Sequence, residues 1–166
     1  MGTGIGQVII ALGSNISPEK HLRDGLAQLR RWIHITATSQ VYRTPPWGYT
    51  GQDDFLNAAV AGQTELPPVE LLNRLMDTEA LMGRVHTIPN GPRTLDLDIL
   101  FFGNLVMDSE QLTVPHPRLH ERGFVLLPLC DIAAEFIHPV LGRTVSDLLD
   151  AVDLAGIEPV GLVLPA

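Results

Sequence analysis

The chain has 166 residues and one cysteine, with 11 Lys and Arg against 19 Asp and Glu, for a formal charge of −8. This length fits one domain with its own core, expected over 1–166, and the acidic balance excludes a general nucleic-acid binder, which presents a basic surface to phosphate. Cys130 allows no internal disulfide, and with no leader pattern and no apolar run near the roughly 20 residues of a bilayer span, the expectation is a cytoplasmic monomer with no membrane partner.

Val8 to Leu12 is an apolar run ending in Gly13-Ser14-Asn15, a buried strand followed by a turn. Ser17-Pro18 offers an N-cap and a proline at the first helical position, and Leu22, Leu26, Leu29 and Ile33 recur at helical spacing, predicting a helix over Glu19 to Trp32. Ile35 to Tyr42 reads as a second strand. Thr44-Pro45-Pro46-Trp47-Gly48-Tyr49 is a loop, since two prolines remove two donors. A strand resumes at Phe55 to Val60. Pro67-Pro68 then opens a second amphipathic helix with Leu71, Leu72, Leu75, Met76 and Leu81 as its apolar face, ending at Gly83.

Gly83 to Thr94 carries Gly83, Pro89, Gly91 and Pro92 without periodicity and reads as a long mobile loop of the kind that carries function. Leu95 to Phe102 is a strand, Gly103-Asn104 a hairpin turn into Leu105 to Met107, and short helical segments follow around Arg118 and over Phe124 to Ile132. A last helix covers Val145 to Val152, and Cys130 reads as a buried thiol. The order strand, helix, strand, strand, helix, strand is a split βαβ pattern. It predicts an α+β, ferredoxin-like fold: a mostly antiparallel sheet with helices packed on it.

The sharpest chemical feature is Gly91-Pro92-Arg93-Thr94-Leu95-Asp96-Leu97-Asp98. On a strand, Asp96 and Asp98 project from one face about 7 Å apart at the backbone, while Leu95 and Leu97 face the other way. A divalent cation relieves the repulsion of such a pair, and Mg²⁺, which takes few carboxylates and completes its shell with water and phosphate oxygens, suits it. Two such ions about 3.5 to 4 Å apart clamp the attacking and leaving oxygens of a phosphoryl transfer. A bare D-x-D is more often a solvated strand face. Here Arg84, Arg93, His116 and Arg122 gather cations around it in an acidic chain, and guanidinium groups hold phosphate in a bidentate fork. Each of those residues alone would be read as surface or structure.

Phe55 and Asn57 form a second pair at strand spacing, an aromatic platform beside a group with both donor and acceptor, as a flat heterocycle with an amide-like edge requires. Taken alone, Phe55 is more often core. No G-x-x-x-x-G-K-[ST] occurs, so a triphosphate would be held by metal and arginine rather than by a P-loop.

From about Val8 to Val152 the chain resembles the 6-hydroxymethyl-7,8-dihydropterin pyrophosphokinase family, in Ala11-Leu12-Gly13-Ser14-Asn15, Tyr42-Arg43-Thr44-Pro45-Pro46, Phe55-Leu56-Asn57-Ala58-Ala59-Val60, Gly83-Arg84-Val85, Gly91 to Asp98, Thr113-Val114-Pro115-His116 and Arg122-Gly123-Phe124. The resemblance implies ATP as co-substrate, transfer of its β,γ-diphosphate to the pterin hydroxymethyl group with release of AMP, and two Mg²⁺ ions on Asp96 and Asp98. It further implies that Glu79, Arg84, Arg93, Ile99, Thr113, His116 and Arg122 serve ATP, with Arg84 and Arg93 catalytic alongside the two aspartates. The pterin would lie between Phe55 and Phe124, read by Asn57 and by Thr44, Pro45 and Trp47. The chain departs from the pattern of the best-known bacterial members at Met76 on the second helix and at His86, Thr87 and Asn90 in a loop one residue shorter, which predicts slower or differently gated loop closure. The competing classes are a non-catalytic relative that binds pterin or nucleotide, and a D-x-D nucleotidyl or glycosyl transferase with another acceptor.

Overall fold

The computed structural model of the chain describes residues 6–46, 51–83 and 92–165. The elements run β1 (Gly6–Ser14), α1 (Pro18–Leu29), β2 (His34–Thr38), β3 (Gln40–Thr44), β4 (Phe55–Thr64), α2 (Pro68–Leu81), β5 (Asp96–Phe102), β6 (Met107–Asp108), β7 (Thr113–Val114), a 3₁₀ turn (Leu119–Glu121), α3 (Gly123–Ala133), α4 (Val145–Asp150) and β8 (Glu158–Val163). The main sheet has the order β5-β1-β4-β3-β8, with β2 also pairing β4, and every pairing is antiparallel. This is the expected ferredoxin-like arrangement with one further strand, β8, which was not read from the sequence.

β2 and β3 together are the predicted second strand, divided at Ser39. There the Ser39 backbone N–H donates to the Ala59 carbonyl at 2.9 Å, and the Ser39 hydroxyl accepts from the Ala59 N–H at 2.8 Å. A side-chain oxygen thus replaces a ladder carbonyl, and the register against β4 shifts by one residue across Ser39.

α1 and α2 cover one face of the sheet, over Ile10, Leu12, Leu97 and Ile99; α3 and α4 cover the other, over Leu100 and Phe101. A register shift between Ile9 and Ile10 leaves Leu100 as the extra residue of a bulge, so Leu100 and Phe101 both enter the second core. α1 buries Leu22, Leu26 and Leu29 as its periodicity predicts. On α2 the buried stripe is Leu71, Leu75, Thr78 and Glu79. Met76 and Leu81, read as part of the apolar face, are 56% and 64% exposed because the 3.6-residue period carries them off that stripe.

Ser17 holds the N-cap position in a left-handed conformation but makes no side-chain capping bond. The turn at Gly103-Asn104 does not lead back along β5; the strand after it, β6, pairs with β7 in a separate two-stranded sheet. Cys130 is half-buried, its thiol pushed up by burial and by the neighbouring Asp131 carboxylate. Asp131 also ties α3 to β3, accepting from the Tyr42 hydroxyl at 2.8 Å and the Gln40 N–H at 3.1 Å. Trp47, Arg84, His86, Thr87 and Asn90, and with them most of the loop expected to be mobile, lie outside the described residues. Among the described residues no helix is long and apolar enough to cross a membrane.

Candidate active site

The central site residues meet through sheet register. Asn57 of β4 pairs with Gly13 of β1, which pairs with Asp96 of β5; two residues along, Ala59 pairs with Ala11 and Ala11 with Asp98. Directly opposed residues of antiparallel strands share a face, and Leu12, Leu56 and Leu97 point into the core on the other face. Asp96, Asp98, Phe55 and Asn57 therefore rise on the α3 side. Two strand spacings, about 10 Å, separate the Asp96 and Asn57 backbones. Between them lies Gly13, and two residues along the floor continues as Ala11 and Ala59. A Cβ at Gly13 would come within 2.9 Å of the Asn57 Oδ1, so this close approach admits only glycine without movement.

β5 is an edge strand, and its outer edge is anchored at two points. The Leu97 N–H, between the two aspartates, donates to the Glu79 Oε2 at 2.8 Å, and Glu79 is only 9% exposed. At the bulge, the Leu100 carbonyl accepts from the His116 N–H at 3.0 Å. By strand alternation Ile99 turns its backbone groups to that same edge while its side chain enters the first core. Any contact of Ile99 with a nucleotide thus falls to its backbone. Thr113, on the nearby β7, donates its hydroxyl to Asp108 at 3.1 Å.

The His116 imidazole lies among Arg122, Arg118 and Asp96. Burial, then the Arg122 charge, lowers its pKa from the usual 6.5 to about 4, against an opposing pull from Asp96. Its Nδ1 accepts from the Arg118 N–H at 3.2 Å, so the neutral ring carries its proton on Nε2 and is a donor there. Asp96 and Asp98 are half-buried side by side, and among the described residues no cluster of three His, Cys, Asp or Glu side chains forms. Two carboxylates are too few for a self-sufficient protein cage but fit Mg²⁺ that arrives with phosphate oxygens and water.

On the other side of the floor, the Asn57 Nδ2 donates to the buried Thr44 Oγ1 at 2.9 Å, which fixes the amide orientation. Thr44, Pro45, Arg122 and Phe124 line a cleft of about 340 Å³, whose far wall is Asp153, Ala155 and Ile157. The Arg122 guanidinium lies 5.8 Å from the Phe124 ring centroid. A larger open groove, about 730 Å³, sits at the other end of the sheet beside Arg30, Trp32 and Thr64, and none of the sequence-derived site residues lines it.

Asn15, whose role no sequence motif announces, is 5% exposed and joins three segments. Its Oδ1 accepts from the Arg93 N–H at 2.8 Å, its backbone N–H donates to the Arg93 carbonyl at 3.0 Å, and its Nδ2 donates to Gln52 Oε1 at 2.8 Å and to the Asp53 carbonyl at 3.0 Å. The backbone of Arg93 is thereby fixed against the segment entering β4. Arg118, beside His116, was likewise not singled out. The available signal for Asn15 was a polar residue closing an apolar strand; for Arg118 there was none beyond charge.

A family model described as 7,8-dihydro-6-hydroxymethylpterin-pyrophosphokinase matches residues 9–134. A Methylorubrum extorquens protein named 2-amino-4-hydroxy-6-hydroxymethyldihydropteridine pyrophosphokinase is 42% identical over 91% of this chain and 96% of its own length. The Bacillus subtilis protein of the same name is 47% identical over 76% of this chain and 77% of its own length. Other relatives are longer: the chain spans 21% of the Pneumocystis carinii folic acid synthesis protein, at 39% identity over 92% of this chain. A crystal structure of a Plasmodium falciparum HPPK-DHPS triple mutant superposes with a TM-score of 0.75 over 89% of this chain and 43% of that one, at 18% identity, which speaks for the fold alone. With the family model covering most of the chain and a relative of 42% identity matched nearly end to end, the chain belongs to the 7,8-dihydro-6-hydroxymethylpterin-pyrophosphokinase family.

Proposed function

We propose that the chain transfers the β,γ-diphosphate of ATP to the hydroxymethyl oxygen of 6-hydroxymethyl-7,8-dihydropterin, releasing AMP, as a monomer acting on small molecules in the cytoplasm. The observation that carries this reading is the register line Asn57–Gly13–Asp96, which sets the Asn57 backbone about 10 Å from that of Asp96 across a floor with no side chain larger than a methyl. That span suits a bicyclic ring with its alcohol arm directed at the phosphates.

In this reading Asn57 and the segment from Thr44 read the edge of the pterin while Phe55 and Phe124 flank its faces. Asp96 and Asp98 would hold two Mg²⁺ ions, which when bound offset the charge of the phosphate oxygens. Arg84, Arg93 and Arg122 hold the triphosphate, and neutral His116 donates from Nε2 to a phosphate oxygen. The pterin alcohol attacks the β-phosphorus in line, its proton leaves to solvent, and AMP departs with the bridging oxygen. No covalent enzyme intermediate is required, so positioning dominates.

The test is AMP release from ATP with Mg²⁺, with and without the pterin, for the intact chain and Asp98→Ala. Pterin-dependent AMP that is lost in the variant is the expected result. Tight pterin binding without AMP would establish the non-catalytic binding reading instead, and equal activity with sugar acceptors would overturn the pterin assignment.

A further inference from the structure

The far wall of the 340 Å³ cleft comes from the turn 153–157, between α4 and β8 and outside the residues 9–134 matched by the family model. This turn is internally bonded. The Ala155 N–H donates to Asp153 Oδ1 at 2.9 Å, and the Ile157 N–H to the Leu154 carbonyl at 3.1 Å. It is also tied to the sheet, because the residues after it pair with β3 (Arg43↔Glu158, Tyr42↔Pro159) and Arg43 forms an ion pair with Glu158 at 3.2 Å. Antiparallel pairing then places the turn directly against the chain leaving β3, which is Pro45.

Two glycines mark how close these contacts are. Gly156, at φ +83°, lies so near Pro45 that a Cβ would stand 3.2 Å from the Pro45 Cγ. Gly123, next to Phe124, has the turn pressed onto it: a Cβ there would meet the Asp153 carbonyl oxygen and the Leu154 Cδ2 at 2.9 Å and the Ile157 Cδ1 at 3.2 Å. One rigid turn therefore touches both walls of the cleft, the Pro45 wall from β3 and the Phe124 wall from α3.

We infer that the turn 153–157 is a positioning element for the pterin side of the site, with Gly156 as the positioning residue that sets the separation of Pro45 and Phe124. The inference rests on the pterin reading for its kinetic consequence but not for its structural one. Gly156→Ala pushes Pro45 and the turn apart; Gly142→Ala is the matched control, since Gly142 also has positive φ (+68°) but nothing within 4 Å of its Cβ position. In the ligand-free protein, Gly156→Ala is expected to speed hydrogen exchange at the Val125 and Leu126 amides, which bond the Arg122 carbonyl, while Gly142→Ala leaves them unchanged. In turnover, Gly156→Ala raises KM for the pterin roughly five- to tenfold, with kcat and KM for ATP within about twofold of the parent. If Gly156→Ala does not fold, Ile157→Val removes a methyl at the Gly123 contact without backbone strain and is expected to act in the same direction. Variants indistinguishable from Gly142→Ala in both exchange and pterin KM would overturn the inference. Altered exchange in a chain that makes no AMP from the pterin would uphold the brace and reject the pterin reading alone.

Discussion

Lowering the pH from 7 to 5 should remove about 2 kcal/mol of folding stability through His116 alone. Its folded pKa of about 4 lies below the usual 6.5, so the unfolded chain binds the proton first and the stabilisation, complete above 6.5, is lost as pH falls through 4. At pH 5 the unfolded imidazole is nearly all protonated and the folded one about a tenth, and weighting both populations at 1.36 kcal/mol per pKa unit gives the 2 kcal/mol; the limit below pH 4 is about 3 kcal/mol. Urea unfolding at pH 7, 6, 5 and 4, comparing the parent with His116→Gln, isolates this contribution, because His138, whose pKa burial also lowers, titrates in both proteins. The parent should lose about 2 kcal/mol more than the variant between pH 7 and 5. Parallel pH profiles, or a His116 ring resonance titrating near 6.5, would refute the claim that burial and Arg122 keep this imidazole neutral.

Glu79→Ala leaves the buried Leu97 N–H without its carboxylate and should destabilise the fold by about 1–3 kcal/mol, lower Tm by several degrees and reduce kcat/KM for ATP at least tenfold. Glu79→Gln, which keeps an acceptor oxygen, should recover most of the stability; calorimetry and initial rates check both, and an unchanged Tm for the alanine variant would remove Glu79 from the support of β5. Gly13→Ala drives a methyl against the Asn57 Oδ1, 2.9 Å away, and should raise KM for the pterin more than KM for ATP; equal effects on both would place Gly13 outside the pterin side.

Much of the architecture is local in origin and therefore legible. Leu22, Leu26 and Leu29 define α1 by their period, the alternation around Asp96 and Asp98 defines β5, and the order of these elements implies the sheet. β8 escaped reading because Pro159 and Gly161 disguise it; its identity as a strand comes from pairing with β3, not from its own propensity. α2 shows the opposite failure. Leu71 and Leu75 sit at helical spacing with Glu79, but a glutamate extending an apolar stripe carries no local sign of its partner, the Leu97 N–H eighteen residues away.

The sequence alone determined the two chemical pairs, Asp96 with Asp98 and Phe55 with Asn57, because strand alternation is a property of the backbone within a few residues. It also determined the cations available to an acidic chain. Only the tertiary structure decided that Gly13 lies between the pairs, that Glu79 and His116 anchor the outer edge of β5, that His116 is held neutral beside Arg122, and that residues 153–157 close the cleft. Each of these depends on register or burial between segments distant in the chain. Such contacts are chosen by the packing of the whole sheet and leave no periodic trace in the sequence.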